Sequence, residues 1–98
     1  MTDQMETLGE SVQAQVTIQN RLGLHARPAM SFVDIANSFN SQVTVRKGEQ
    51  AVDGKSIMQM MMLAASQGTQ LQLEANGPDA TAAIAALKAL IDRKFDED

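Results

Sequence analysis

Cysteine, tryptophan and tyrosine are absent from this chain, and its 98 residues hold one histidine, two prolines and three phenylalanines. Without cysteine there is no disulfide framework, no thiol nucleophile and no thiolate metal site. Scarce aromatics serve base stacking poorly, and a formal net charge of −4 lacks the basic face that nucleic acid requires. Long apolar runs are missing too. Met60 to Ala65 is as long as any, far short of the ~20 residues that cross a bilayer. The opening residues Met1 to Glu6 carry neither the basic region nor the apolar stretch of a secretory signal, which predicts a cytoplasmic protein. A lone histidine among scattered carboxylates is no cue for zinc, and no segment calls for a cofactor. What remains is one small domain, with no internal repeat, whose partner surfaces must be made of aliphatics and methionines.

Residues 1–12 are polar and without period and read as a flexible tail, leaving 13–98 as the folded domain. From Ala14 apolar residues alternate (Ala14, Val16, Ile18), which predicts a half-buried strand. Asn20 to Leu24 reads as a loop in which Asn20 and Gly23 tolerate positive φ. Helical spacing follows from Ala26 to about Phe39, centred on Ala29, Val33 and Ala36. Pro28 fits only a first helical turn, so the helix begins at or just before Ala26 and His25 falls at its cap.

Val43 and Val45 mark a second strand, and Gln50 to Val52 a third beyond Lys47-Gly48-Glu49. Ser56 to Leu63 reads as a short helix with Ser56 at its N-cap and Gln59 at capping-box spacing. Leu71, Leu73 and Ala75 mark a fourth strand. Gly77-Pro78-Asp79 opens a last helix, with Arg93 and Lys94 expected in its final turn and Asp96-Glu97-Asp98 expected to fray. The order is βαββαβα. Strands with one polar face are covered on the other face only, which predicts an α+β, open-faced two-layer sandwich with a mostly antiparallel sheet.

Leu22-Gly23-Leu24-His25-Ala26-Arg27-Pro28-Ala29 carries the chemistry. A helix N-terminus offers unpaired N–H groups and partial positive charge to an anion. Arg27 adds a planar, permanently charged fork suited to phosphate oxygens. The dipole opposes further positive charge at this end, which favours a neutral, nucleophilic imidazole. His25 is therefore read as a residue built to hold a phosphoryl group. No base, second nucleophile or cofactor loop accompanies it, so the reading is a covalent carrier rather than a self-sufficient enzyme.

Together with Asp53-Gly54-Lys55-Ser56-Ile57-Met58, that segment resembles the histidine-containing phosphocarrier family, HPr, over roughly Gln13 to Arg93. The resemblance implies a four-stranded antiparallel sheet under three helices and a monomer without membrane insertion. It also implies phosphorylation of His25 on Nδ1 by enzyme I of the phosphoenolpyruvate:sugar phosphotransferase system, and transfer to an enzyme IIA component. It further implies regulatory phosphorylation of Ser56 by an HPr kinase/phosphorylase, although Gln59 stands where regulated relatives often carry glycine. On the residues alone, Ser56 is explained as a helix cap and needs no regulatory role.

Met58, Met60, Met61 and Met62 crowd one short helix, which can bury only about half its circumference. Two of them are expected in the core and the others on an adaptable exposed patch. By resemblance, Leu24, Arg27, Met30, Ile57, Met58 and Met61 face partners. Asp34 stands where relatives often place a basic residue. Two other readings stay open: a carrier of the nitrogen-related branch, and a regulatory binding module acting through the methionine patch.

Overall fold

A computed structural model describes residues 10–97. Strand β1 (Glu10–Thr17) is followed by helix α1 (Ala26–Asn37), strands β2 (Gln42–Lys47) and β3 (Gln50–Asp53), helix α2 (Ile57–Met62), strand β4 (Gln70–Gly77) and helix α3 (Ala80–Asp92). A single turn, Lys94–Asp96, closes the described chain. The four strands form one sheet in the order β1-β4-β2-β3, every neighbour antiparallel. The expected open-faced α+β sandwich is therefore what the chain adopts.

Alternation sets the two faces of the sheet. Val16, Val43, Val45, Leu71, Leu73 and Ala75 point inward and are buried. The register brings Val16 opposite Leu71, and Leu73 opposite both Ala14 and Val45. The outer face is polar: Gln72 donates to Gln13 Oε1 at 2.7 Å, and Arg46 pairs with Glu74 at 3.1 Å. Helices cover the inner face with Phe32 from α1, Met60 from α2, and Ile84, Leu87, Leu90 and Ile91 from α3. No helix among the described residues is long and apolar enough to cross a membrane.

Several details differ from the sequence expectation. The first strand starts at Glu10, because its pairing with β4 runs on to Gly77. Residues 10–12 thus belong to the sheet, and the rest of the expected tail lies outside the described residues. The buried stripe of α1 is Pro28, Ala29, Phe32 and Ala36, with Val33 only half-buried, because the larger ring takes the core position. Helix α3 ends at Asp92, so its last turn holds no basic residue and Arg93 is its C-cap.

Asp79 sits at the N-cap of α3 but makes no side-chain cap for its own helix. Its carboxylate accepts instead from the Asn40 and Ser41 backbone N–H groups and the Ser41 hydroxyl, at 2.9, 2.8 and 2.6 Å. The Ser41 hydroxyl, followed by these backbone donors, holds the Asp79 carboxyl below the usual aspartate range. A carboxyl depressed by folding contributes stability above its unfolded pKa and loses it as pH falls through the folded one. Urea midpoints should therefore decline on acidification, and less steeply in Asp79→Asn. Parallel declines in both proteins would contradict this role.

Candidate functional site

His25 occupies the position that Pro28 demands. It is the N-cap of α1 in extended conformation, and its carbonyl accepts the first helical bond from the Ala29 N–H at 3.0 Å. The preceding loop turns at Gly23, whose φ of +70° is a left-handed conformation that other residues resist. A Cβ there would also lie 2.6 Å from the Ala65 carbonyl oxygen. That carbonyl accepts the Leu24 N–H at 2.8 Å, which fixes the loop against the segment following α2.

The chemistry-bearing groups around the ring divide into engaged and free. His25 makes no side-chain cap of its own helix. The N–H groups of Ala26 and Arg27 have no hydrogen-bond partner among the described residues, and Pro28 has no N–H to satisfy. The exposed Arg27 guanidinium forms no hydrogen bond or ion pair among those residues. On the other side of the ring, Nε2 lies 2.8 Å from Glu97 Oε2, which also accepts from Asn20 Nδ2 at 2.9 Å. The His25 hydrogen bond, followed by that of Asn20, holds the Glu97 carboxyl below the usual glutamate range.

Glu97 and Asn20 are the residues that sequence reasoning missed. The terminal acidic run, expected to fray, is tied to the histidine through Glu97. Asn20, expected in a loop as a residue that tolerates positive φ, is fully buried and donates both to Gly23 O, at 2.7 Å, and to Glu97. An asparagine ahead of a glycine turn signals a loop. Nothing local signals that its amide will hold the far end of the chain.

Ser56 is at the N-cap of α2, and its hydroxyl accepts the Gln59 N–H at 3.2 Å. The reciprocal half of the capping box is absent, because Gln59 Oε1 accepts the Asp53 N–H at 2.9 Å. Helices α1 and α2 pack against each other, while His25 and Ser56 cap different helices and share no hydrogen bond.

The residues expected to face partners differ in exposure. Met30, Met58 and Met61 are exposed, Ile57 is 37% exposed, and Met62 joins them. Only Met60 of the four clustered methionines is in the core, because Leu63 takes the second inward position. Leu24, expected to face partners, is buried in the core at 5% exposure, and Leu22 is the exposed leucine of the loop at 63%. The backbone bond from Leu24 to Ala65 turns that side chain inward.

Among the described residues no group of three His, Cys, Asp or Glu side chains is placed to hold a metal ion. His25 is open to solvent, with its side chain 36% exposed, which suits exchange with another protein's surface.

Residues 12–93 match the family described as PTS HPr component phosphorylation site. The chain is 51% identical over 84 residues to the phosphocarrier protein HPr of Pseudomonas aeruginosa, covering 85% of this chain and 93% of that protein. It is 46% identical over 85 residues to the phosphocarrier protein NPr of Proteus mirabilis, covering 86% of this chain and 94% of that one. Among solved structures, HPr-C-His from Thermoanaerobacter tengcongensis superposes with a TM-score of 0.86 at 46% identity, over 89% of this chain and 98% of that one.

Proposed function

Because this chain belongs to the HPr/NPr family of phosphocarrier proteins, we propose that it accepts a phosphoryl group on His25 from enzyme I and donates it to an enzyme IIA component. The observation that carries this reading is the arrangement at the start of α1. A half-exposed imidazole stands at a helix start whose Ala26 and Arg27 N–H groups and Arg27 guanidinium have no partner among the described residues. These groups suit the doubly negative oxygens of a phosphoryl group, and the positive end of the helix reinforces them. One arginine on an open surface cradles the group without trapping it, as a carrier requires. The exposed side chains of Met30, Ile57, Met58 and Met61 provide the adaptable apolar surface on which donor and acceptor dock in turn.

Lys55-Ser56-Ile57-Met58 favours the sugar branch over the nitrogen branch, whose members usually depart from this run. Ser56 is the proposed second phosphorylation site, modified by an HPr kinase/phosphorylase. A phosphate at the N-cap of α2 is tolerated by the helix and sets negative charge beside the methionines. To test the branch, the phosphorylated protein is presented with IIA components of both kinds. Faster discharge to the sugar-specific one is expected, and preferential discharge to the nitrogen-branch one overturns the assignment. Kinase modification of Ser56→Ala as well as the parent would remove Ser56 from the account.

A further inference from the structure

We propose that Met30, Met58, Met61 and Met62 are sites of reversible oxidation by peroxide, and that their conversion to sulfoxides closes the docking surface while His25 keeps its reactivity. This goes beyond the carrier reading and rests on it for the partner that docks.

Sulfur in this chain is carried by methionine alone, since cysteine is absent. Its distribution is the reverse of leucine's. Leucine fills the core, as at Leu63, Leu71, Leu73 and Leu87, whereas Met58, Met62, Met30 and Met61 are 73%, 67%, 56% and 42% exposed. Met60 is the one buried methionine among the described residues. Leucine and methionine are similar in volume and apolar area, so either serves an apolar contact alone. What only methionine adds is a flexible, polarisable thioether that takes up oxygen.

The exposed sulfurs are grouped. Met58 and Met62 are four residues apart on α2, and Met58 and Met61 three apart, spacings that set side chains on neighbouring turns of one helix face. Helix α1 packs against α2, and Met30 lies three residues beyond Arg27 on the exposed face of α1. The methionine surface therefore begins beside the guanidinium assigned to the phosphoryl group.

The step balances with hydrogen peroxide as the oxidant. A sulfur lone pair attacks one peroxide oxygen, and the O–O bond breaks with its electron pair on the other oxygen. The proton of the transferred oxygen passes to the leaving hydroxide, giving water. Sulfur is oxidised by two electrons and the peroxide is reduced by two. The resulting sulfoxide oxygen is a hydrogen-bond acceptor. Facing water it is solvated, but pressed against a partner's apolar surface it is left unpaired. Helix α2 keeps its place, because buried Met60 anchors it and the Ser56 hydroxyl caps it. Sulfoxide reductases reverse the change with a dithiol, which becomes a disulfide as the oxygen leaves in water.

In the test, the whole chain is treated with hydrogen peroxide and the oxidised positions are mapped by peptide mass spectrometry. Mapping separates the four sites from Met1 and Met5, which lie outside the described residues. Charging by enzyme I and phosphoenolpyruvate is then compared with charging by phosphoramidate, a small donor that needs no docking surface. Met58 and Met62 are expected to oxidise first and Met60 last. The oxidised protein should show a KM with enzyme I raised about tenfold, the effect of one polar group left unpaired in an apolar contact. Its phosphoramidate rate and circular dichroism should be those of the untreated protein, and sulfoxide reductases should restore the KM. A variant combining Met30→Leu, Met58→Leu, Met61→Leu and Met62→Leu should keep its own untreated KM after peroxide. A parent oxidised at all four sites with its KM unchanged overturns the proposal. An equal rise in the fourfold leucine variant, or oxidation of Met60 as early as Met58, does the same. Failure of enzyme I to charge the untreated parent is a different result, which refutes the carrier reading and takes the docking effect with it.

Discussion

Replacing His25 with alanine should abolish acid-labile phosphorylation completely and leave the domain folded. The ring is half-exposed and outside the core, and the bond that starts α1 comes from its backbone carbonyl, which alanine retains. The fold loses the contact with Glu97, a single part-buried hydrogen bond at the surface. With no second histidine, no other imidazole can take over the label. Intact mass spectrometry after incubation with phosphoenolpyruvate and enzyme I, read beside the circular dichroism of the same sample, checks both halves. An acid-labile phosphoryl group on folded His25→Ala would place the chemistry elsewhere.

Gly23→Ala is expected to produce the largest loss of stability among changes near the site, and to slow phosphorylation without touching the imidazole. The left-handed φ of +70° costs an alanine about 1–2 kcal/mol. The new Cβ would also fall 2.6 Å from Ala65 O and 2.9 Å from Ser66 Cα, both backbone atoms. Ala65 O cannot retreat without giving up the Leu24 N–H, so the loop itself must shift. Asn20 donates to Gly23 O, and the shift therefore reaches Glu97 and the ring. We expect a loss of about 3 kcal/mol, a large share of the ~5–15 kcal/mol that holds a small domain together. Gly68→Ala is the control. Its φ is +91°, but nothing lies within 4 Å of the added Cβ, so it carries the backbone cost alone. Equal urea midpoints for the two variants would show that the clash with Ala65 is not what matters.

Pro28 tolerates one place in a helix, so the start of α1 and the capping position of His25 were legible from a single residue. The strands were legible because their alternation is strict wherever one face meets the core, as at Leu71, Leu73 and Ala75. Leu24 was misplaced because a loop has no period, and a backbone hydrogen bond to Ala65 decides which leucine turns inward. The methionine cluster was ambiguous for a related reason, since a helix as short as Ile57–Met62 gives too little pattern to fix its phase.

Glu97 was the least legible residue of all. Its place depends on three left-handed residues with none of the glycine that normally marks such a turn, held by the burial of Phe95. A contact between residues 25 and 97 is a property of the assembled core. No local signal encodes it.

His25 is proposed to take up a phosphoryl group and give it away again. The most direct measurement is the intact mass of the parent protein, first after incubation with phosphoenolpyruvate and enzyme I, then after an enzyme IIA acceptor is added. An acid-labile gain of one phosphoryl group on His25 is expected in the first step, and its loss to the acceptor in the second. A folded chain that gains nothing while enzyme I charges a control carrier, or one that keeps the group in the presence of every acceptor, would contradict it.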